Sequence, residues 1–148
     1  MFASVVVSDY VYETLSALSE VTSVIPPTRM TGAMAVPEGT GLPALLFHMT
    51  ASQYGGPVQA TAAENVNSET IRLEVRAIDD GTSDSAIYPA AMAQFEALSG
   101  THAEHTLDGD TYSLDFIAVG EIPITTLVDG ANFYRQLGTI YQVDVFRA

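Results

Sequence analysis

Residues 68–79, SETIRLEVRAID, decide the fold. Ile71, Leu73, Val75 and Ala77 take every second position, and Thr70, Arg72, Glu74 and Arg76 take the positions between. Successive strand side chains point to opposite faces, so this is a β-strand with one buried and one charged face. The Asp79-Asp80-Gly81 that follows is a turn signal. The segment beyond it has helical period. The spacing therefore predicts a strand crossing the middle of a sheet, its apolar side covered by a helix.

That helix presents Ile87, Ala91, Phe95 and Leu98 on one side with Met92 flanking, and Gly100 stops it. Ser83 and Asp84 can cap it, while Pro89 moves a regular start nearer Tyr88. Upstream, residues 44–53 read as a strand with Leu45, Phe47 and Met49 on one face and Leu46, His48 and Thr50 on the other. Gly55-Gly56-Pro57 breaks it, and a small polar run to Asn67 reads as a loop or hairpin arm. Residues 28–43, with Gly32, Pro37, Gly39, Gly41 and Pro43, form a long connection.

A first helix lies within residues 8–20, with Val11, Leu15 and Leu18 in a stripe with Val7, Ser8 or Asp9 as its cap, and Pro26-Pro27 beyond its end. Downstream, residues 111–121 and 136–147 alternate as two more strands, joined by a loop over residues 122–134 that contains Pro123 and Asp129-Gly130. The order helix, strand, strand, helix, strand, strand predicts an α+β fold in one domain over residues 1–148. Two helices pack on one face of a mainly antiparallel four-stranded sheet.

Composition bounds the function. A chain of 148 residues, 47% hydrophobic, can bury roughly 70% of its unfolded surface without a covalent staple. Cysteine is absent, which excludes disulfides, thiolate metal sites and thiol nucleophiles. Asp and Glu total 18 against five basic residues, all arginine, for a net charge of −13. Such a charge repels phosphate backbones and argues against specific nucleic-acid binding, though DNA could pass without adhering. Acidity without lysine resembles proteins of salt-loving archaea and their viruses, because high salt screens the self-repulsion; an acidic mesophilic surface is the alternative. No run is long enough to span a membrane and the N-terminus lacks signal-peptide character, so the expected location is cytosolic or virion-borne.

Chemistry-bearing motifs are sparse. His102-Ala103-Glu104-His105, with Asp108 and Asp110 downstream, is the best metal candidate, since imidazoles three residues apart share a helical face. Its position after Gly100 and before Asp108-Gly109-Asp110 reads instead as a polar loop. Gly39-Thr40-Gly41 is too short for a nucleotide fingerprint, and without lysine no Walker-type loop exists. Asp79-Asp80 with Asp84 lacks the ligand spacing of a calcium loop. His48 has no assignable serine or carboxylate, and no serine sits in a nucleophile elbow. The expectation is a protein that is not an enzyme and needs no cofactor. Arg72 and Arg76, with Glu74 between them, are either a solvated face or a subunit interface, where arginine is enriched.

The layout resembles a known family. An N-terminal helix, a Pro/Gly-rich loop, a strand at LLFHM, the strand IRLEVRAID followed by a helix, and two terminal strands ending on YQVDVFRA are together similar to the tail terminator or tail-completion proteins of long-tailed phages and archaeal viruses. The likeness covers almost the whole chain; the loop at residues 26–43 and the acidity depart from it. The resemblance implies a structural virion protein at the tail–neck region, assembled in the host cytoplasm. Its subunits would form a ring, usually of six, that caps the tail tube, stops its polymerisation and meets the head–tail connector, while genomic DNA passes through the lumen. A cyclic ring needs two different patches per subunit. The expected ones are Arg72, Glu74 and Arg76 on the strand, and Asp129, Asn132, Phe133 and Tyr134 in the second loop. Another neck or head–tail joining protein, or a more β-rich tail-tube subunit, is the alternative, ahead of a small metal- or ligand-binding α+β domain.

Overall fold

The computed structural model describes residues 3–54, 68–81, 87–129 and 132–147, without the side chains of residues 50–54, 127–129 and 132. Helix α1 (Ala3–Ser16) and a short α2 (Ser19–Thr22) lead into β1 (Met30–Thr31), β2 (Ala44–Tyr54) and β3 (Ser68–Asp79). Helix α3 (Ile87–Leu98) precedes β4 (His102–Leu107), β5 (Asp110–Asp129) and β6 (Asn132–Arg147). The strands form one sheet in the order β1-β2-β3-β6-β5-β4. β1 runs parallel to β2, and every other pairing is antiparallel.

The expected four-stranded sheet is therefore corrected to a six-stranded mixed sheet that curls as a half-barrel and makes up most of the molecule. Three local readings account for the difference. Within the long connection at residues 28–43, Met30 and Thr31 pair with Leu45 and Leu46 and add a parallel edge. Residues 102–107, read as a polar loop, are β4, which folds back on β5 through Asp108 and Gly109, at φ 51° and 85°. Two successive left-handed residues are the type I′ turn that closes a tight hairpin, and Asp-Gly suits it. Residues 122–134, also read as a loop, prolong the β5–β6 hairpin to the pair Asp129 and Asn132. Pro123 does not end β5 because the register shifts between Ile122 and Thr125, and such a bulge leaves a position where no N–H is required.

β3 does lie inside the sheet, between β2 and β6. Its inward residues Ile71, Leu73 and Val75 are fully buried, together with Leu45 and Phe47 of β2, Leu114 and Phe116 of β5, and Tyr141, Val143 and Val145 of β6. Val6, Val7, Val11 and Leu15 of α1 and Ile87, Ala90 and Leu98 of α3 join the same core. Each buried Val, Leu, Ile or Phe among them contributes about 1.5–3 kcal/mol by leaving water. Helices of this length are marginal alone, so this burial is what holds them.

α3 begins within one residue of the start that Pro89 implied and ends at Leu98 as expected, whereas α1 differs from its expected limits. α1 is helical from Ala3, so Ser8 and Asp9 lie within it rather than capping it. The carboxylate of Glu69, buried on β3, accepts a hydrogen bond from the Ala3 N–H at 3.4 Å, which places negative charge at the positive end of the helix. The expected capping residues of α3, Ser83 and Asp84, lie outside the described residues. Its buried stripe is Ile87, Ala90, Ala91, Gln94 and Leu98, while Phe95 is turned outward. Gln94 takes the inward place because polar groups await it there. Its Nε2 donates to Thr139 Oγ1 at 2.8 Å and to the Ala91 carbonyl at 2.9 Å, and its Oε1 accepts from Tyr141 Oη at 2.7 Å. Burial pushes the Tyr141 phenol well above its ordinary range, so it remains a donor.

Candidate assembly surfaces

Two surfaces are built from the alternation of the central strands. The first is the outward face of the sheet. There Leu46 and His48 of β2 stand opposite Arg76 and Glu74 of β3, and Glu74 and Arg72 stand opposite Ile140 and Gln142 of β6. The two alternating sets meet because register, once set for one face, is set for both.

The three charged β3 residues differ in exposure and in partners. Glu74 Oε2 lies 3.1 Å from His48 Nε2, whose side chain is buried. Arg76 Nη1 donates to Gln136 Oε1 at 2.9 Å and Nη2 donates to the Met34 carbonyl, which ties the residue 32–43 connection to the sheet. Only Arg72 of the three is exposed. Burial and the Arg76 charge push the His48 pKa below its ordinary value of 6.5, and the opposing pull of Glu74 is smaller. Burial likewise lowers the Arg76 pKa, partly opposed by Glu74. His48 Nδ1 and Arg76 Nε are buried with no hydrogen-bond partner among the described residues.

A pH dependence follows. With the folded pKa of His48 depressed, the unfolded chain binds more protons as pH falls below 6.5, so stability falls with it. The melting temperature of the wild type is expected to drop more between about pH 7.5 and about pH 5.5 than that of His48→Gln. Equal drops would remove His48 as the cause.

The second expected patch lies at the far end of the same strands. Phe133 is 62% exposed and Tyr134 half-buried. Asp129 and Asn132 are paired across the hairpin, with side chains outside the described residues. Arg72 faces Gln142, nine residues along β6 from Phe133, a separation of roughly 30 Å. The structure thus keeps the two expected patches apart.

Sequence reading missed several exposed apolar side chains. Ile117 and Phe146 stand on the outward face, each two residues along its strand from an acidic residue of the same face, Asp115 and Asp144. On the helical side, Tyr88, Met92 and Phe95 of α3 face Ala118, Gly120 and Leu137 across a groove of about 350 Å³. Its signal was the width of the α3 apolar stripe, which is more than one sheet face can cover.

The proposed metal motif is not assembled. In a strand, His102 and Glu104 point outward and His105 points inward. His102 Nδ1 contacts Asp115 Oδ1 at 2.5 Å, while His105 Nε2 reaches Asp9 Oδ2 of α1 at 2.7 Å. No helix among the described residues is long and apolar enough to cross a membrane.

No family model and no curated protein matches the chain. Among solved structures, a chain from the virion of a native gene transfer agent particle is similar over 100% of both chains, with a TM-score of 0.58 and 17% identity. At that identity the likeness concerns the fold.

Proposed function

We propose that this protein is a structural, non-enzymatic virion component that forms a ring at the end of a tail tube, as a tail terminator does. The observation that carries the reading is the fold likeness, complete over both chains, to a chain from the virion of a native gene transfer agent particle. The surfaces support it. A cyclic ring joins each subunit to two neighbours through different patches. The outward face bearing Arg72, Ile117 and Phe146 and the groove beside α3 are two such patches on opposite sides of the sheet. A net charge of −13 suits a lumen that DNA must traverse without adhering. The ring would be a hexamer, its partners the tube protein and the head–tail connector.

A second reading, a tail-tube or head–tail joining subunit, is favoured by the six-stranded sheet and its 20-residue β5, since tube proteins are β-rich. Negative-stain imaging of the protein alone and mixed with tail tubes separates the two. Single rings seated on tube ends are expected; rings that stack into tubes favour the second reading, and a monomer that never meets a tube end removes both. Arg72→Glu is the interface test, because Arg72 is the exposed residue of the three. The variant is expected to stay folded, as judged by a cooperative melt, yet fail to form rings. Rings that persist would move the interface elsewhere.

A further inference from the structure

α1 and the edge strand β4 bring together three ionisable side chains that the assembly reading does not use. Asp9 and Glu13 are one turn apart on α1, and His105 reaches them from the inward side of β4. His105 Nε2 lies 2.7 Å from Asp9 Oδ2, and Nδ1 lies 3.9 Å from Glu13 Oε2. One ligand atom from each residue lies within 4.8 Å of the other two. The His105 side chain is only 9% exposed, with Tyr10 edge-on to it at 5.6 Å, so the imidazole is held in place. The carboxylates are 38% and 64% exposed, which leaves the opposite side open to water.

Charge says what the cluster lacks. Like charges at this spacing on a helix repel, and among the described residues no arginine is paired with Asp9 or Glu13. A protonated imidazole offsets one negative charge, whereas a divalent cation offsets both. The distances suit an ion. Two ligands each about 2.1 Å from one metal, at angles near 90–110°, stand about 3.0–3.4 Å apart. Asp9 and His105 Nε2 need open by only a few tenths of an ångström; Glu13, which stands nearer the other ring nitrogen, must swing its exposed carboxylate round to the Nε2 side from a position within 4.8 Å of the other two ligand atoms.

We infer that Asp9, Glu13 and His105 form a binding site for a divalent first-row cation, Zn²⁺ or Mn²⁺, whose remaining positions are filled by water. One imidazole with two carboxylates is a mixed nitrogen and oxygen donor set, which these ions accept and which Mg²⁺ and Ca²⁺, with their preference for oxygen, do not favour. The bound ion ties the first helix to the sheet edge through Asp9 and His105, 96 residues apart in the chain.

Calorimetric titration of untagged, EDTA-stripped protein with Zn²⁺ and with Mn²⁺ tests this, paired with thermal melting. One equivalent is expected to bind and raise the melting temperature. Glu13→Gln, at an exposed position that leaves the fold intact, is expected to weaken binding at least about tenfold, and His105→Gln to abolish it. His102→Gln, on the other face of β4, is expected to bind as wild type does. Absence of stoichiometric binding, undiminished binding in Glu13→Gln, or loss of binding in His102→Gln would each overturn the site.

Discussion

Gly138→Ala is expected to destabilise the protein by about 3 kcal/mol or more, the upper end of what overpacking costs. Gly138 lies on β6 opposite Arg76 of β3, in the most central pairing of the sheet. A Cβ added there would stand 2.0 Å from the Val75 carbonyl oxygen and 2.9 Å from Arg76 Cα. Both are backbone atoms, so no side chain can swing aside. The two strands must part, and with them the hydrogen bonds on either side and the registered pairs Leu73 with Tyr141 and Ile71 with Val143. Gly120→Ala is the control, because a Cβ there meets nothing nearer than the Ile140 side chain at 3.5 Å. Urea unfolding of the two variants should differ by at least about 2 kcal/mol. Similar midpoints would mean that the sheet relaxes around Gly138 far more readily than its packing implies.

Arg135→Ala is expected to cost about 3–5 kcal/mol, because it strips the cation from a buried carboxylate. Asp79 is 2% exposed at the end of β3, and Arg135 is its cross-strand partner. The guanidinium engages it through both arms, Nε to Oδ1 at 3.0 Å and Nη2 to Oδ2 at 2.8 Å. The Gly81 N–H adds a third bond to Oδ1 at 2.9 Å. Without Arg135 that single amide is the only one of these three bonds that remains, and the charge stays buried. Arg135→Lys keeps the charge but loses the planar fork, so an intermediate loss is expected. Replacing the pair together, Asp79→Leu with Arg135→Met, should recover part of the stability, since no unpaired charge is left behind. Denaturant midpoints of the four proteins decide it. A double variant no better than Arg135→Ala alone would show that the loss is one of packing rather than of an orphaned charge.

The central strands were legible because their physics is local. In β3 and β6 the apolar residues alternate without interruption, and a period of two has only one regular backbone that satisfies it. The strand at residues 102–107 was as regular, with Ala103, His105 and Leu107 alternating against His102, Glu104 and Thr106, but its inward set is too weakly apolar to stand out. The Asp108-Gly109 pair was the stronger clue, being the usual residue choice for a tight hairpin. Pro123 misled in the opposite direction: it reads as a breaker, and only the bulge in β5 shows how a strand continues through it. In α3, Phe95 outranks Gln94 on any hydrophobic scale, yet Gln94 is inside because Tyr141 and Thr139 need hydrogen-bond partners there.

The candidate surfaces were less legible than the fold. Arg72, Glu74 and Arg76 share a face by period, but the period is silent on what lies above each one. Glu74 finds His48 and Arg76 finds Met34 and Gln136, which ties both to their own chain and leaves them half-buried. The pairing of His105 with Asp9 had no local signal at all.

By itself the sequence determined the faces of the central strands, the inward residues Val7, Val11 and Leu15 of α1, the absence of thiol chemistry and the field of an acidic surface. Each follows from covalent geometry or from composition, which need no knowledge of neighbours. Tertiary structure alone decided the number of strands, the inward turn of Gln94, the backbone contact at Gly138 and the meeting of α1 with β4. Those depend on register and on which distant groups compete for the same space, and such competition is resolved only when the chain has closed on itself.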